Sequence, residues 1–359
     1  MKTGRKDIME LALELNRQMN AKKDYLVDTR SMHFDVGESG EQLSLDNGAG
    51  TTHILGVNEI AHNQIGAALG IPSKYYDKMR AENPALLSEN INSWFNVDPK
   101  RRMVRTLDGT ARAFLSDKYR RIDNWDVAQA VLPIIAEMAS ADGANIESCE
   151  VTDQRMYLKI VNPRLTTEVT PGDIVQSGML ITNSEVGMGS LTVQPLVYRL
   201  VCKNGMVVND AKMRKYHVGR GNEAGDDFSL YTDETLQADD RALMMKVQDV
   251  VRAVIDQTRF DKVVNMMREA KGARILTTDI PKMVELAGSE FGYTKKEGAG
   301  ILDHLIRGGD LSLYGLANAV TRSAQDVDSY DRSTAMEAIG YDILGMTRSM
   351  WNRLNAVEA

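Results

Sequence analysis

Hydrophobic positions recur with two different periods along the chain, and the change between them predicts the order of helices and strands. Leu11 and Leu15 lie one helical turn apart and predict a short first helix. Residues 25–35 alternate weakly, as an extended arm or a strand does, and residues 37–50 are rich in Gly, Ser, Asp and Asn, which is typical of a loop or hairpin tip. Three further segments with helical spacing follow. Residues 1–97 are therefore predicted to form a mostly helical N-terminal module.

The middle of the chain, residues 98–222, changes to the two-residue period of β-strands. Two alternating runs flank the turn dipeptide Asp-Gly at 108–109 and predict a β-hairpin. A capping residue, Asp123 or Asn124, then opens an amphipathic helix that runs to about Ser140.

Three strand-like runs follow within residues 146–182. A further apolar run at residues 191–200 contains Pro195, which cannot donate a ladder hydrogen bond, so this run is not expected to be a central strand. Residues 223–359 are helical in spacing, and residues 236–271 predict one long helix or two. The sequence thus predicts an α+β fold: a central antiparallel sheet with flanking helices, a helical N-terminal module and a helical C-terminal region.

Charge is distributed unevenly along a chain of ordinary globular composition, with 43% hydrophobic and 26% charged residues. The net charge of −7 argues mildly against a protein that coats nucleic acid. Residues 98–121, however, hold eight cations and three carboxylates, a net charge of +5. Residues 199–220 hold six cations and one carboxylate, also +5, and residues 223–241 run to −6. Two basic segments and a following acidic segment therefore mark the middle of the chain.

The two basic segments mix cations with tyrosine, which is the combination that binds single-stranded nucleic acid. Lysine and arginine neutralise phosphates, and an aromatic ring stacks on an unpaired base. The residues expected to contact DNA are Arg112, Lys118, Tyr119, Arg120, Arg121, Arg199, Lys203, Lys212, Arg214, Lys215 and Arg220. The alternative interpretation is that these residues form ordinary solvated strand ends, because basic clusters are common on protein surfaces.

The two cysteines, Cys149 and Cys202, form no disulfide framework and lack the spacing of a zinc site, which fits a reducing compartment. Charges throughout residues 1–20 leave no apolar signal core, and no stretch has the apolar length of a membrane helix. We therefore expect a cytoplasmic protein that does not enter the membrane.

No motif for a metal or a cofactor is present. The five histidines are scattered without a ligand pair such as HExxH. The Gly-Met-Gly run at 187–189 lacks the spacing and the Lys-Ser/Thr ending of a phosphate-binding loop, so it predicts a turn. We expect neither metal nor cofactor.

Four segments carry a resemblance to a known family. They are residues 67–79 (AALGIPSKYYDKM), 112–124 (RAFLSDKYRRIDN), 183–206 beginning NSEVGMGS, and 317–326 (ANAVTRSAQD). In this order they resemble a phage- and plasmid-borne family known only as a domain of unknown function, over about residues 25–345. The resemblance implies mobile-element biology near replication and recombination, and it assigns no catalytic residue. A looser resemblance, to single-strand annealing proteins, rests on the order of a helix followed by three strands; it implies homo-oligomeric rings or filaments that need no ATP.

Three functions remain open at this point. The first is binding, and annealing, of single-stranded DNA by a homo-oligomer, with a replication or recombination protein of the host or phage as a further expected partner. The second is a protein-binding module that inhibits a host defence or repair factor through the acidic residues 223–240. The third is a metal-dependent nuclease using carboxylates near the sheet, which are Asp117, Asp123, Asp126, Asp153 and Glu185.

Overall fold

The computed structural model of the chain describes residues 1–5, 7–37, 40–46, 50–209 and 233–356, and these residues form an α+β fold. The strands of this part are β1 (Lys23–Asp28), β2 (Met32–Gly37), β3 (Gly40–Asp46), β4 (Thr52–Val57), β5 (Arg101–Leu107), β6 (Thr110–Ser116), β7 (Asn145–Val151), β8 (Met156–Glu168), β9 (Ile174–Asn183), β10 (Thr192–Arg199) and β11 (Asn204–Val207). The helices are α1 (Ile8–Ala21), α2 (Glu59–Ala68), α3 (Ser73–Glu82), α4 (Pro84–Val97), α5 (Asn124–Asp142), α6 (Asp233–Val254), α7 (Gln257–Gly272), α8 (Ile280–Phe291), α9 (Lys295–Gly308), α10 (Leu313–Ser323), α11 (Tyr330–Leu344) and α12 (Arg348–Asn355).

The strands form two sheets rather than one central sheet. The first sheet has the order β1-β5-β6-β4-β3-β2, in which only the β4–β6 contact is parallel. The predicted hairpin is confirmed as β5–β6, with Asp108 and Gly109 both at positive φ as a tight hairpin turn requires. Because this hairpin pairs with β1 and β4, the first sheet crosses the domain boundary expected at residue 97.

The described part of the N-terminal 97 residues contains four α-helices and the four strands β1 to β4. The predicted arm or strand over residues 25–35 corresponds to β1 and β2, whereas β4 was not predicted. The prediction of a loop or hairpin tip over residues 37–50 fits the antiparallel pairing of β2 with β3, in which Gly37 lies opposite Gly40, but it did not include β3 itself. Leu43 and Leu45 of β3 are fully buried. Two apolar residues in a Gly- and Ser-rich run are a weak sequence signal, and they are buried here because β3 lies between β2 and β4 under the helices α2, α3 and α4.

The second sheet is a meander in which β7 to β11 pair in chain order, all antiparallel. Helices α5 and α6 cover one face, where Val131 and Val247 join Leu158 of β8 in one apolar cluster. On the other face Tyr157 and Leu180 pack against Tyr330 of α11. The three strands expected within residues 146–182 are therefore confirmed.

Strand β10 corrects the prediction drawn from Pro195, because it is a central strand paired with both β9 and β11. The Pro195 carbonyl accepts a hydrogen bond from the N–H of Val208, just beyond the end of β11. In an antiparallel ladder the nitrogen and the carbonyl of one residue point to the same neighbour. The missing N–H therefore faces the end of the short β11, and the ladder to β9 loses nothing.

The C-terminal region is helical, as predicted, and residues 236–271 form two helices, α6 and α7. The capping box at the start of α9 is present, with Thr294 and Glu297 each accepting from the other's backbone N–H. Among the described helices, none combines the length and the apolar character needed to cross a membrane.

Candidate nucleic-acid interface

Several of the predicted DNA-binding arginines point into the protein. Arg112 is 8% exposed and pairs with Glu185. Arg199 makes two hydrogen bonds to the Asp173 carboxylate, at 2.5 and 3.0 Å, and its guanidinium lies over the Tyr314 ring. Each of these arginines has a carboxylate of its own, so both are built into the fold.

Arg112 belongs to a buried junction between the two sheets, centred on Arg105. Arg105 has no exposed surface and donates to Asp24 at 2.9 Å, to Asp123 at 2.7 Å and to the Glu185 carbonyl at 3.0 Å. Burial opposes the charge of Arg105, but Asp123 and Asp24 outweigh burial and raise its pKa. We call Arg105, Arg112, Asp24, Asp123 and Glu185 the buried junction.

The carboxylates of the buried junction also determine how the N-terminus of helix α5 is capped. Asp123 occupies the N-cap position, but its carboxylate binds Arg105 and Lys22 and makes no capping hydrogen bond. Burial favours the neutral acid, yet the Arg105 guanidinium and Lys22 ammonium hold the pKa of Asp123 below its ordinary value. Glu185 instead accepts from the Asn124 N–H at 2.6 Å, where the helix N-terminus favours a negative charge.

These contacts bear on the nuclease alternative. Glu185 is bound by Arg112 and by the Asn124 N–H, and Asp123 by Arg105 and Lys22, so neither carboxylate faces an open site. No group of three or more His, Cys, Asp or Glu side chains among the described residues is arranged to hold a metal ion. Two of the five carboxylates that suggested a nuclease, Asp123 and Glu185, are therefore accounted for as ion-pair partners.

Tyr119 also lies against the junction rather than facing solvent as a stacking ring. Its hydroxyl donates to the Ser184 carbonyl at 3.1 Å, and burial raises its pKa. The loop it contacts turns at Gly187, whose φ of 75° and close approach to Leu115 leave no room for a side chain. The Gly-Met-Gly run is thus a turn, as predicted, and it packs the β9–β10 loop onto the first sheet.

Arg120 is held by the acidic start of helix α6. Its guanidinium lies 3.2 Å from Asp239 and 2.5 Å from Asp240, and its side chain is 14% exposed. Both aspartates are about half exposed. Arg120 therefore joins the loop before α5 to α6.

The remaining predicted cations do not form one surface. Lys118, Arg121 and Lys203 are exposed, and Arg121 lies 3.6 Å from Asp24. Lys118 lies near the C-terminal end of β9, because its neighbour Tyr119 contacts Ser184, the residue that follows this strand. Lys203 lies near the N-terminal end of β9, because the Leu200 N–H donates to the Ile174 carbonyl. The two ends of this ten-residue strand are about 30 Å apart. The other predicted residues, Lys212, Arg214, Lys215 and Arg220, lie outside the described residues.

A compact group of cations does occur at one end of the first sheet, where β5 begins and β6 ends; three of its members are exposed and Arg102 is half-buried. Arg102 pairs in register with Ser116, and Lys118 follows two residues later. Arg101 is the first residue of β5, and Lys100 immediately precedes this strand. We call Lys100, Arg101, Arg102 and Lys118 the basic end. Within the described part of the chain, Arg101 and Lys118 have no carboxylate within salt-bridge distance, while Lys100 pairs with Asp98 on the surface.

Contacts with helix α4 fix the position of the basic end. The Thr29 hydroxyl donates to the Phe95 carbonyl at 2.8 Å and accepts from the Lys100 N–H at 3.1 Å. Phe95 stacks on Phe114 with ring centroids 6.0 Å apart, and the Arg102 guanidinium lies 5.7 Å from the Phe114 centroid. Lys100, Arg101 and Arg102 contribute to the positive charge of residues 98–121, but they were not among the residues predicted to contact DNA. The predicted β5–β6 hairpin could have placed them beside Lys118.

The fold and these two clusters define an α+β protein with two packed sheets and a basic surface at one sheet end. Residues 113–356 match the family described as Domain of unknown function (DUF932), and the chain belongs to that family. The match begins inside β6, so it includes Lys118 and, of the buried junction, Asp123 and Glu185, whereas Asp24, Arg105, Arg112 and the whole of β5 precede it. Searches of curated proteins and of solved structures gave no match.

Proposed function

We propose that this protein binds single-stranded DNA at the basic end and acts as an ATP-independent annealing protein of a mobile element. The observation that carries the proposal is the gathering of four cations at the start of β5 and just after the end of β6, where Arg101 and Lys118 are exposed and have no carboxylate partner among the described residues. Cations that have no carboxylate partner in the protein can exchange their small counterions for DNA phosphates, and the release of these counterions is the main source of affinity for nucleic acid.

The topology of the second sheet supports the annealing part of the proposal. Helix α5, a five-stranded meander and helix α6 follow one another, and the two helices pack together on one face. The order resembles the helix–meander–helix arrangement of single-strand annealing proteins, which work as homo-oligomers in the cytoplasm.

Fluorescence anisotropy with a labelled thymidine oligonucleotide tests the proposal. We expect Arg101→Ala/Arg102→Ala/Lys118→Ala to weaken binding strongly at low salt, because three phosphate contacts are lost. Each contact with a single strand contributes about 0.7 to the slope of log K against log salt, so the slope should become shallower by about 2.

The matched control is Lys295→Ala/Lys296→Ala/Arg307→Ala on α9, which removes the same charge from another exposed surface. Equal losses in the two triple variants would mean that net charge, not the basic end, governs binding. No binding by the unmodified protein at low salt would remove the proposal, and the acidic residues 223–240 would become the first surface to test against protein partners.

A further inference from the structure

Trp94 is an exposed aromatic residue that the protein core does not use. It is 45% exposed on α4, where Val97 is 69% and Leu86 is 38% exposed. The helix is held to the sheet through Leu87, Ile91 and Phe95, all with no exposed surface, and Trp94 lies at the margin of this buried face, two turns after Leu87. Its half-exposed ring and the neighbouring Val97 form an apolar patch on which a planar ligand group can stack.

The ring lies at the margin of the basic end. The Asp98 N–H donates to the Trp94 carbonyl at 3.2 Å, and the Asp98 carboxylate lies 2.7 Å from the Lys100 ammonium. The next residue, Phe95, stacks on Phe114, which also carries the Arg102 guanidinium. Trp94 is therefore linked to Lys100 through Asp98 and to Arg102 through Phe95 and Phe114.

We propose that Trp94 stacks on an unpaired base of a strand whose phosphates contact the basic end, so that the site selects single strands over duplex. This inference rests on the proposed function and adds the selectivity. An indole face accepts any base, but only a base that is free of its partner can reach it, whereas cations alone bind both forms. Val97, one turn further on, extends the apolar surface beside the ring.

The charge around Trp94 favours nucleic acid over a second copy of the chain as the occupant. A two-fold contact through this face would place the same patch of both copies together. Lys100, Arg101 and Arg102 at its margin would then approach their own counterparts, and like charges across an interface oppose association. A polyanion is attracted by the same arrangement.

The experiment compares a thymidine oligonucleotide with an abasic oligonucleotide of equal length, which keeps the phosphates and lacks the bases. Trp94→Ala should weaken thymidine binding about tenfold or more, the effect of losing one stacked base, and should leave abasic binding unchanged. Trp94→Phe should restore most of the affinity because it keeps an aromatic face. Leu86→Ala, at another exposed apolar position of the same helix about two turns away, is the matched control and should change neither. Trp94 is the most exposed tryptophan of the described residues, so its emission should be quenched by the thymidine strand alone.

Three results would overturn the inference. Equal affinity of the unmodified protein for thymidine and abasic strands would show phosphate binding without stacking, and the proposed function would stand. Loss of self-association in Trp94→Ala, with unchanged DNA affinity, would identify the patch as a subunit interface. Absence of binding to both strands would remove the proposed function together with this inference.

Discussion

The buried junction and the basic end draw on the same stretch of sequence and use its arginines in opposite ways. Arg105 and Arg112 lie inside the protein with carboxylates from distant parts of the chain around them. Arg101 and Arg102, a few residues earlier on the same strand, lie at its open end. Side chains alternate across a strand, so Arg101 lies on the same face of β5 as Arg105, but the contacts from the second sheet reach Arg105 and leave Arg101 exposed. Local charge density therefore does not distinguish structural cations from binding cations; the contact between sheets does.

The buried junction should be the more sensitive of the two regions to substitution. We expect Arg105→Met to lower the free energy of unfolding by about 3–5 kcal/mol, because Asp24 and Asp123 would remain buried without their common partner. Arg101→Met should change it by less than about 0.5 kcal/mol. Urea denaturation of both variants measures the difference. Similar losses in the two variants would break the comparison.

A second buried pair tests whether such cations act only through their partners. Lys159 and Glu337 have no exposed surface and lie 2.7 Å apart, joining β8 to α11. Glu337→Leu should destabilise by about 3 kcal/mol, since it strands the Lys159 ammonium in the core. Adding Lys159→Met should recover most of that loss. A double variant that is as unstable as the sum of the two single variants would show that the residues do not interact.

Arg120 is intermediate between the two regions, because it is largely covered but its two aspartates are half exposed. Asp239→Asn/Asp240→Asn should cost less than about 1 kcal/mol, and the cost should shrink as salt rises. Thermal unfolding at two salt concentrations measures this. A larger, salt-independent loss would place Arg120 with the buried junction.

Periodicity and turn residues were sufficient to predict most elements of the second sheet and the C-terminal helices. The β5–β6 hairpin followed from Asp108 and Gly109. Strand β3 was missed because its apolar residues become buried only through long-range packing. Strand β10 was misjudged because Pro195 is tolerated where its ring nitrogen faces the end of β11.

The candidate site was less predictable than the fold. Arg112 and Arg199 were selected because they lie in basic segments, but each is paired with a carboxylate more than 25 positions away in the sequence. No local pattern reveals such a partner. Trp94 and Lys118, which lie at one sheet end, are likewise brought together only by the packing of α4 on the sheet.

Photo-crosslinking of the intact protein to a bromouridine-substituted single strand, followed by peptide mapping, tests the central claim most directly. The account predicts crosslinks in peptides containing Trp94 and residues 100–102 or Lys118, with none at Arg105 or Arg199. Crosslinks confined to residues 199–222, with the basic end unmodified, would contradict it and would assign the DNA to the second basic segment.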